Sequence, residues 1–185
     1  GGSSKAIDYL LNERESTGEA KVLQGDPILT KTIINAIERK QKVTVGCLSF
    51  EEKNIPENKK YEIMKDFEKH LLAGLEKEQY NILWVEHTDK GRLELNFVIP
   101  KEELTSRKAL NPYYHKADLP RIEKWQDLNN LTYGFTNPKN PSKARTLETT
   151  NMKLLQKDYD QLDKILHNQV SEGYIQNREQ MIELL

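Results

Sequence analysis

The sequence predicts an α+β domain: an antiparallel sheet with helices packed on it, followed by a small helical C-terminal segment. Two observations carry this. The stretch Tyr80–Pro100, YNILWVEHTDKGRLELNFVIP, reads as two strands joined by a tight turn. Asn81 to His87 is apolar and partly aromatic. Leu93 to Ile99 alternates strictly, with Leu93, Leu95 and Phe97 on one face and Glu94, Asn96 and Val98 on the other. The flanking segments run in the order helix–strand–helix–hairpin–helix, which suits helices covering an antiparallel sheet.

Taken in order, Ser3 or Ser4 caps a short helix, Lys5 to Leu11, with Ile7, Leu10 and Leu11 facing a core. Residues 12–21 read as a polar turn, and Val22 to Pro27 as a short extended piece ending in a turn. Ile28 to Arg39 is helical, and Lys42 to Phe50 alternates as a strand. After a charged loop with Pro56, Lys60 to Leu75 carries Ile63, Met64, Phe67, Leu71 and Leu75 on one helical face. His70 beside that stripe reads as a half-buried helix histidine. Past the hairpin, Glu102 to Ala109 is a polar connection, and Leu110 to His115 an exposed strand or loop. Asp118 to Tyr133 is a helix that tolerates Pro120 near its start. Residues 134–150 form a linker. Met152 to Val170 and Asn177 to Leu185 are amphipathic helices. The expected division is therefore 1–146 and 147–185.

Composition narrows the function classes. The chain has 185 residues, 31% of them charged, yet its net charge is −1. Any nucleic-acid site must then be a local patch. A single cysteine, Cys47, excludes an intramolecular disulfide and fits a reducing cytoplasm. Its place in a strand-like run reads as a buried thiol. No apolar run reaches membrane-spanning length, and no secretory signal is visible.

The chemistry concentrates in the hairpin. With Lys90-Gly91 as a two-residue loop, His87 lies opposite Glu94 and Val85 opposite Asn96. Directly paired residues share a face. An imidazole, a carboxylate and a carboxamide then converge, a donor set suited to one Mg²⁺ or Mn²⁺. The alternative is a solvated strand face with a histidine at its end. Tyr9 has two readings as well, a half-buried core tyrosine or a reactive hydroxyl.

The run QYNILWVEHTDKGRLELNFVIP, Gln79 to Pro100, resembles the metal motif of plasmid mobilization relaxases of the ColE1 MobA type, a subgroup with a His–Glu–Asn triad. Two further segments match: AIDYLL, Ala6 to Leu11, with VLQGDP after it, and NPYYHKADLPRIEKWQDLNN, Asn111 to Asn130. The resemblance covers roughly residues 5 to 146. It implies a triad at His87, Glu94 and Asn96 holding one divalent ion, and a catalytic tyrosine at Tyr9. Relaxases of this kind open with a β-strand ahead of the glycine-rich segment. Residue 1 falls inside that segment, so the resemblance implies a sheet lacking its first strand.

The activity implied is conjugative mobilization. One strand at the transfer origin is nicked by tyrosine transesterification, a 5′-phosphotyrosyl bond forms, and the strand is later rejoined. Asp8, next to Tyr9, is a weak candidate for general base, since adjacent helix residues point about 100° apart. Implied partners are transfer-origin DNA, single-stranded near the nick, with accessory mobilization proteins and a coupling protein. DNA contacts are expected from Lys90 and Arg92 beside the turn, and from Arg107, Lys108, Lys116 and Arg121 after it. Tyr113 and Tyr114 either stack on bases or pack into the core. Two other function classes stay open: a non-catalytic module that binds origin DNA, and a metallonuclease that uses water.

Overall fold

A computed structural model describes residues 3–88, 91–140 and 156–184. The chain divides into two compact units, Gly1–Thr136 and Asn137–Leu185. The first holds α1 (Lys5–Ser16), β1 (Ala20–Gln24), α2 (Pro27–Ala36), β2 (Val43–Ser49), α3 (Glu57–Leu71), β3 (Leu83–His87), β4 (Glu94–Pro100) and α4 (His115–Tyr133). The second contributes α5 (Gln156–Ser171) and α6 (Arg178–Leu184).

The four strands form one sheet in the order β1-β3-β4-β2, each neighbouring pair antiparallel. The β3–β4 hairpin is therefore its centre, and β1 and β2 are its edges. The pleat sorts residues to two faces. One face presents Leu83, Val85 and Val98 to Ile7 and Leu10 of α1 and Ile34 of α2. The other presents Trp84, Leu95, Phe97 and Ile99 to Ile63, Met64, Phe67 and Leu71 of α3 and Trp125 of α4. Phe67 is the hub of this second face, with ring centroids 6.0 Å from Trp84, 5.2 Å from Phe97 and 4.9 Å from Trp125. Burying such aromatic rings supplies much of a core's stability.

Glycine is required at two positions of this sheet. Gly46 on β2 pairs with Phe97, and a β-carbon there would stand 2.2 Å from the Phe97 ring. Gly25 turns the chain out of β1 at φ +90°, and its β-carbon would lie 2.5 Å from the Ile82 carbonyl oxygen. Asp26 then caps α2, its Oδ1 accepting from Ile28 N at 2.7 Å and Leu29 N at 3.0 Å, with Pro27 in the first turn. The fourth helix stops at Gly134, which adopts φ 69°.

Several expectations shift. The first helix continues through the segment read as a polar turn and ends before Gly18, at φ 75°. Its polar residues lack apolar periodicity but include good helix formers. The extended piece around Val22 is a true edge strand. The third helix begins at Glu57, directly after Pro56, and the fourth at His115. Cys47 is exposed, not buried. It sits on the edge strand β2, paired with Asn96.

Candidate functional site

The hairpin register pairs His87 with Glu94 and Val85 with Asn96. Gly91 adopts φ 69° in the connection, the positive value expected of it. His87, Glu94 and Asn96 thus share the face covered by α1. All three are buried, at 3%, 6% and 8% exposure. Buried polar side chains need partners, and the partners define the site. His87 Nε2 donates to the Leu10 carbonyl at 2.7 Å. A carbonyl only accepts, so Nε2 carries the proton and Nδ1 keeps the lone pair. Glu94 Oε1 accepts from Arg92 Nε at 3.1 Å and Nη2 at 2.9 Å. Asn96 Nδ2 is buried and finds no hydrogen-bond partner among the described residues.

This donor set fits a divalent cation. A metal-bound histidine commonly donates its other ring N–H to a backbone carbonyl, as His87 does to Leu10. The two ends of a carboxamide are assigned from their partners. Turned over, Asn96 would place an oxygen where its amide nitrogen has no acceptor. Among the described residues, no three His, Cys, Asp or Glu side chains gather closely enough to hold a metal. Any third side-chain donor beside His87 and Glu94 would be the amide of Asn96.

The first helix packs Ile7 and Leu10 on this face, and Tyr9 precedes the residue whose carbonyl meets His87. Ile7 and Leu10 are buried while Tyr9 is 64% exposed. Asp8 forms an ion pair with Lys31 of α2. On β2, Ser49 pairs with Glu94 and Cys47 with Asn96, so both extend the same face. Both are exposed.

The candidate DNA contacts divide. Arg92 is at the site, but its guanidinium is engaged by Glu94. Lys90 lies outside the described residues. Arg107 Nε stands 3.0 Å from Glu102 Oε1, and Arg121 Nη2 donates to Asp118 Oδ1 at 2.8 Å. Lys108 and Lys116 are exposed. Tyr113 packs against the Trp84–Phe97 cluster, and its hydroxyl meets His115 Nδ1 at 2.9 Å. Tyr114 is 56% exposed. Tyr113 and the start of α4 therefore lie on the sheet face opposite the triad. The Arg92–Glu94 contact went unread in the sequence, although residues two apart in an extended chain share a side. The Leu10 carbonyl has no side-chain signal at all.

The model of the MobA/VirD2-like relaxase nuclease domain matches residues 12–135. The chain belongs to the MobA/VirD2-like relaxases. The match covers nearly all of the first compact unit of this relaxase and begins three residues after Tyr9. The relaxase is 52% identical over 147 residues to "Cryptic plasmid protein C" of Neisseria gonorrhoeae, covering 80% of this chain and 72% of that protein. It is 51% identical over 147 residues to "DNA relaxase MbeA" of Escherichia coli, covering 80% of this chain but 28% of that protein. No solved structure matches the chain.

Proposed function

We propose that this relaxase mobilizes a plasmid by nicking one DNA strand at a transfer origin, with Tyr9 as nucleophile and one divalent ion, Mg²⁺ or Mn²⁺, held by His87, Glu94 and Asn96. The observation that carries the reading is the convergence of these three side chains beneath α1, where His87 is bonded to the residue that follows Tyr9. When bound, the ion would stabilise negative charge building on the scissile phosphate.

The chain's own residues do the rest. The Leu10 carbonyl fixes the His87 tautomer, so a lone pair is presented without reorganisation. Arg92 balances the Glu94 carboxylate at the edge of the site. The Tyr9 oxygen attacks phosphorus. An O–P bond forms to tyrosine as the bond to the 3′ oxygen breaks, and that oxygen takes a proton to leave as a 3′-hydroxyl. The phenolic proton goes to solvent, because Asp8 is held by Lys31. The phosphodiester energy is kept in the 5′-phosphotyrosyl bond, so attack by a 3′-hydroxyl rejoins the strand.

The nicking domain is residues 1–146 in this reading, and 147–185 is a helical appendage or the start of a further domain. Accessory mobilization proteins and a coupling protein are the partners, and the work is done in the cytoplasm. No helix among the described residues is long and apolar enough to cross a membrane. The test is a denaturing gel of supercoiled plasmid carrying the cognate origin. A band with protein bound covalently to one cleavage product supports transesterification. Cleavage without an adduct means hydrolysis, and binding without cleavage means an origin-binding module.

A further inference from the structure

A second feature lies at the far end of β1 from His87. A groove of about 460 Å³ opens there between the solvent side of α3 and the 3₁₀ turn Lys77–Gln79. Its floor is Glu68, 5% exposed. Glu68 Oε1 accepts from Gln24 Nε2 at 2.7 Å and Trp84 Nε1 at 2.9 Å. Its Oε2 accepts from Lys77 Nζ at 2.6 Å and Tyr80 Oη at 2.9 Å. Four donors saturate this carboxylate, so it has no capacity left for another cation.

The walls carry Lys65 and Lys69, both exposed, one turn apart on α3. Like charges at this spacing repel. Neither has an ion pair or hydrogen bond among the described residues, and the other carboxylates of the helix are engaged elsewhere. Glu62 is held by Lys59 at 2.9 Å, and Asp66 accepts from Trp125 Nε1 at 2.7 Å. The groove therefore holds two ammonium groups, of Lys65 and Lys69, beside a Lys77–Glu68 pair that already offsets itself. Tyr61 stands one turn before Lys65, and Lys77 Nζ lies 4.8 Å from the Tyr80 ring centroid. Cations interleaved with aromatic rings along a groove are the pattern of single-stranded nucleic-acid binding.

We infer that this groove grips the phosphate backbone of the same DNA strand, away from the scissile phosphate. The inference rests on the reading of the chain as a DNA-nicking relaxase. Gln24 at the groove and Ala20 beside His87 are the two ends of β1, about 13 Å apart at strand rise. Since α3 covers the face opposite the triad, a strand reaching both sites passes around the β1 edge of the sheet.

The test is Lys65→Gln/Lys69→Gln in the full chain, with binding of a fluorescent single-stranded origin oligonucleotide followed by anisotropy across a salt series. Two lost phosphate contacts should flatten the log K against log salt slope by about 1.4 and weaken binding roughly tenfold near 0.15 M salt. The nicking rate at saturating DNA should be unchanged. An unaltered slope overturns the inference, and would point to an acidic protein segment as the groove's occupant. Glu94→Ala separates the two readings. It should stop nicking while keeping the salt slope, so loss of the slope effect alone condemns the groove and not the triad.

Discussion

The carbonyl of Leu10 accepts the Nε2 hydrogen of His87 at 2.7 Å across 77 residues of sequence. This bond ties the helix bearing Tyr9 to the hairpin bearing the triad. It also fixes which nitrogen of His87 is free to bind a ligand.

Replacing His87, Glu94 or Asn96 singly by Ala should weaken Mn²⁺ binding by more than the 10–100-fold typical of outer-shell changes, and should abolish nicking. Far-ultraviolet circular dichroism should be unchanged, since the hairpin backbone and the opposite core stay intact. Isothermal calorimetry decides the matter. Unchanged affinity in all three variants would show that the metal binds elsewhere.

Tyr9→Phe deletes only the hydroxyl of a residue that is 64% exposed. Packing and oligonucleotide affinity should hardly change, while strand cleavage and the covalent adduct disappear together. Tyr114→Phe should keep both. An adduct that survives in Tyr9→Phe and is lost in Tyr114→Phe would reverse the assignment of the nucleophile.

Arg92→Gln removes the guanidinium that occupies Glu94 Oε1. The Arg92 side chain is half exposed, and such a pair contributes about 0–1 kcal/mol. Removing this partner of the carboxylate should therefore raise Mn²⁺ affinity by up to about fivefold. The same change should flatten the DNA salt slope by less than one unit. A fall in metal affinity would mean that Arg92 organises Glu94 for binding and does not compete for it.

Glu103 accepts from the Ser106 hydroxyl, from Ser106 N at 2.7 Å and from Thr105 N at 3.0 Å. These bonds, the Ser106 hydroxyl first, bring its carboxyl down to about 2. A depressed carboxyl stabilises the fold above its unfolded value near 4.5. That contribution fades as pH falls from there toward 2. Ser106→Ala should move the Glu103 titration upward in carboxyl-detected NMR and reduce the acid sensitivity of the bridge at Glu102–Ala109. An unmoved titration would leave the backbone donors as the whole cause.

The hairpin was legible in the sequence because alternation, turn residues and the spacing of His87, Glu94 and Asn96 all agree on one register. The second face was legible from the α3 stripe ending in Phe67 and Leu71. What depends on the edges was not. Val45 and Cys47 alternate like buried strand residues, yet their exposure is decided by where α1 and α2 stop covering β2. The cations after the hairpin look contiguous with it in sequence. The chain from Leu110 to Ile122 instead packs on the Trp84–Phe97 side, and residue order alone carries no sign of that crossing.

The central placement of the hairpin gives the two halves of the site unequal permanence. Each of β3 and β4 is paired along both edges, and their mutual contacts close over a few residues. The first helix is held from one side, by Ile7, Leu10, the Leu10–His87 bond and the Asp8–Lys31 pair. Its amides should exchange with deuterium through small local openings, well before those of Val85 or Phe97. An excursion of this helix would carry Tyr9 away and break the Leu10–His87 bond, while the β3–β4 pairing stays in place. In the proposed mechanism, a DNA end joined to Tyr9 would ride on an element that opens before the central hairpin does.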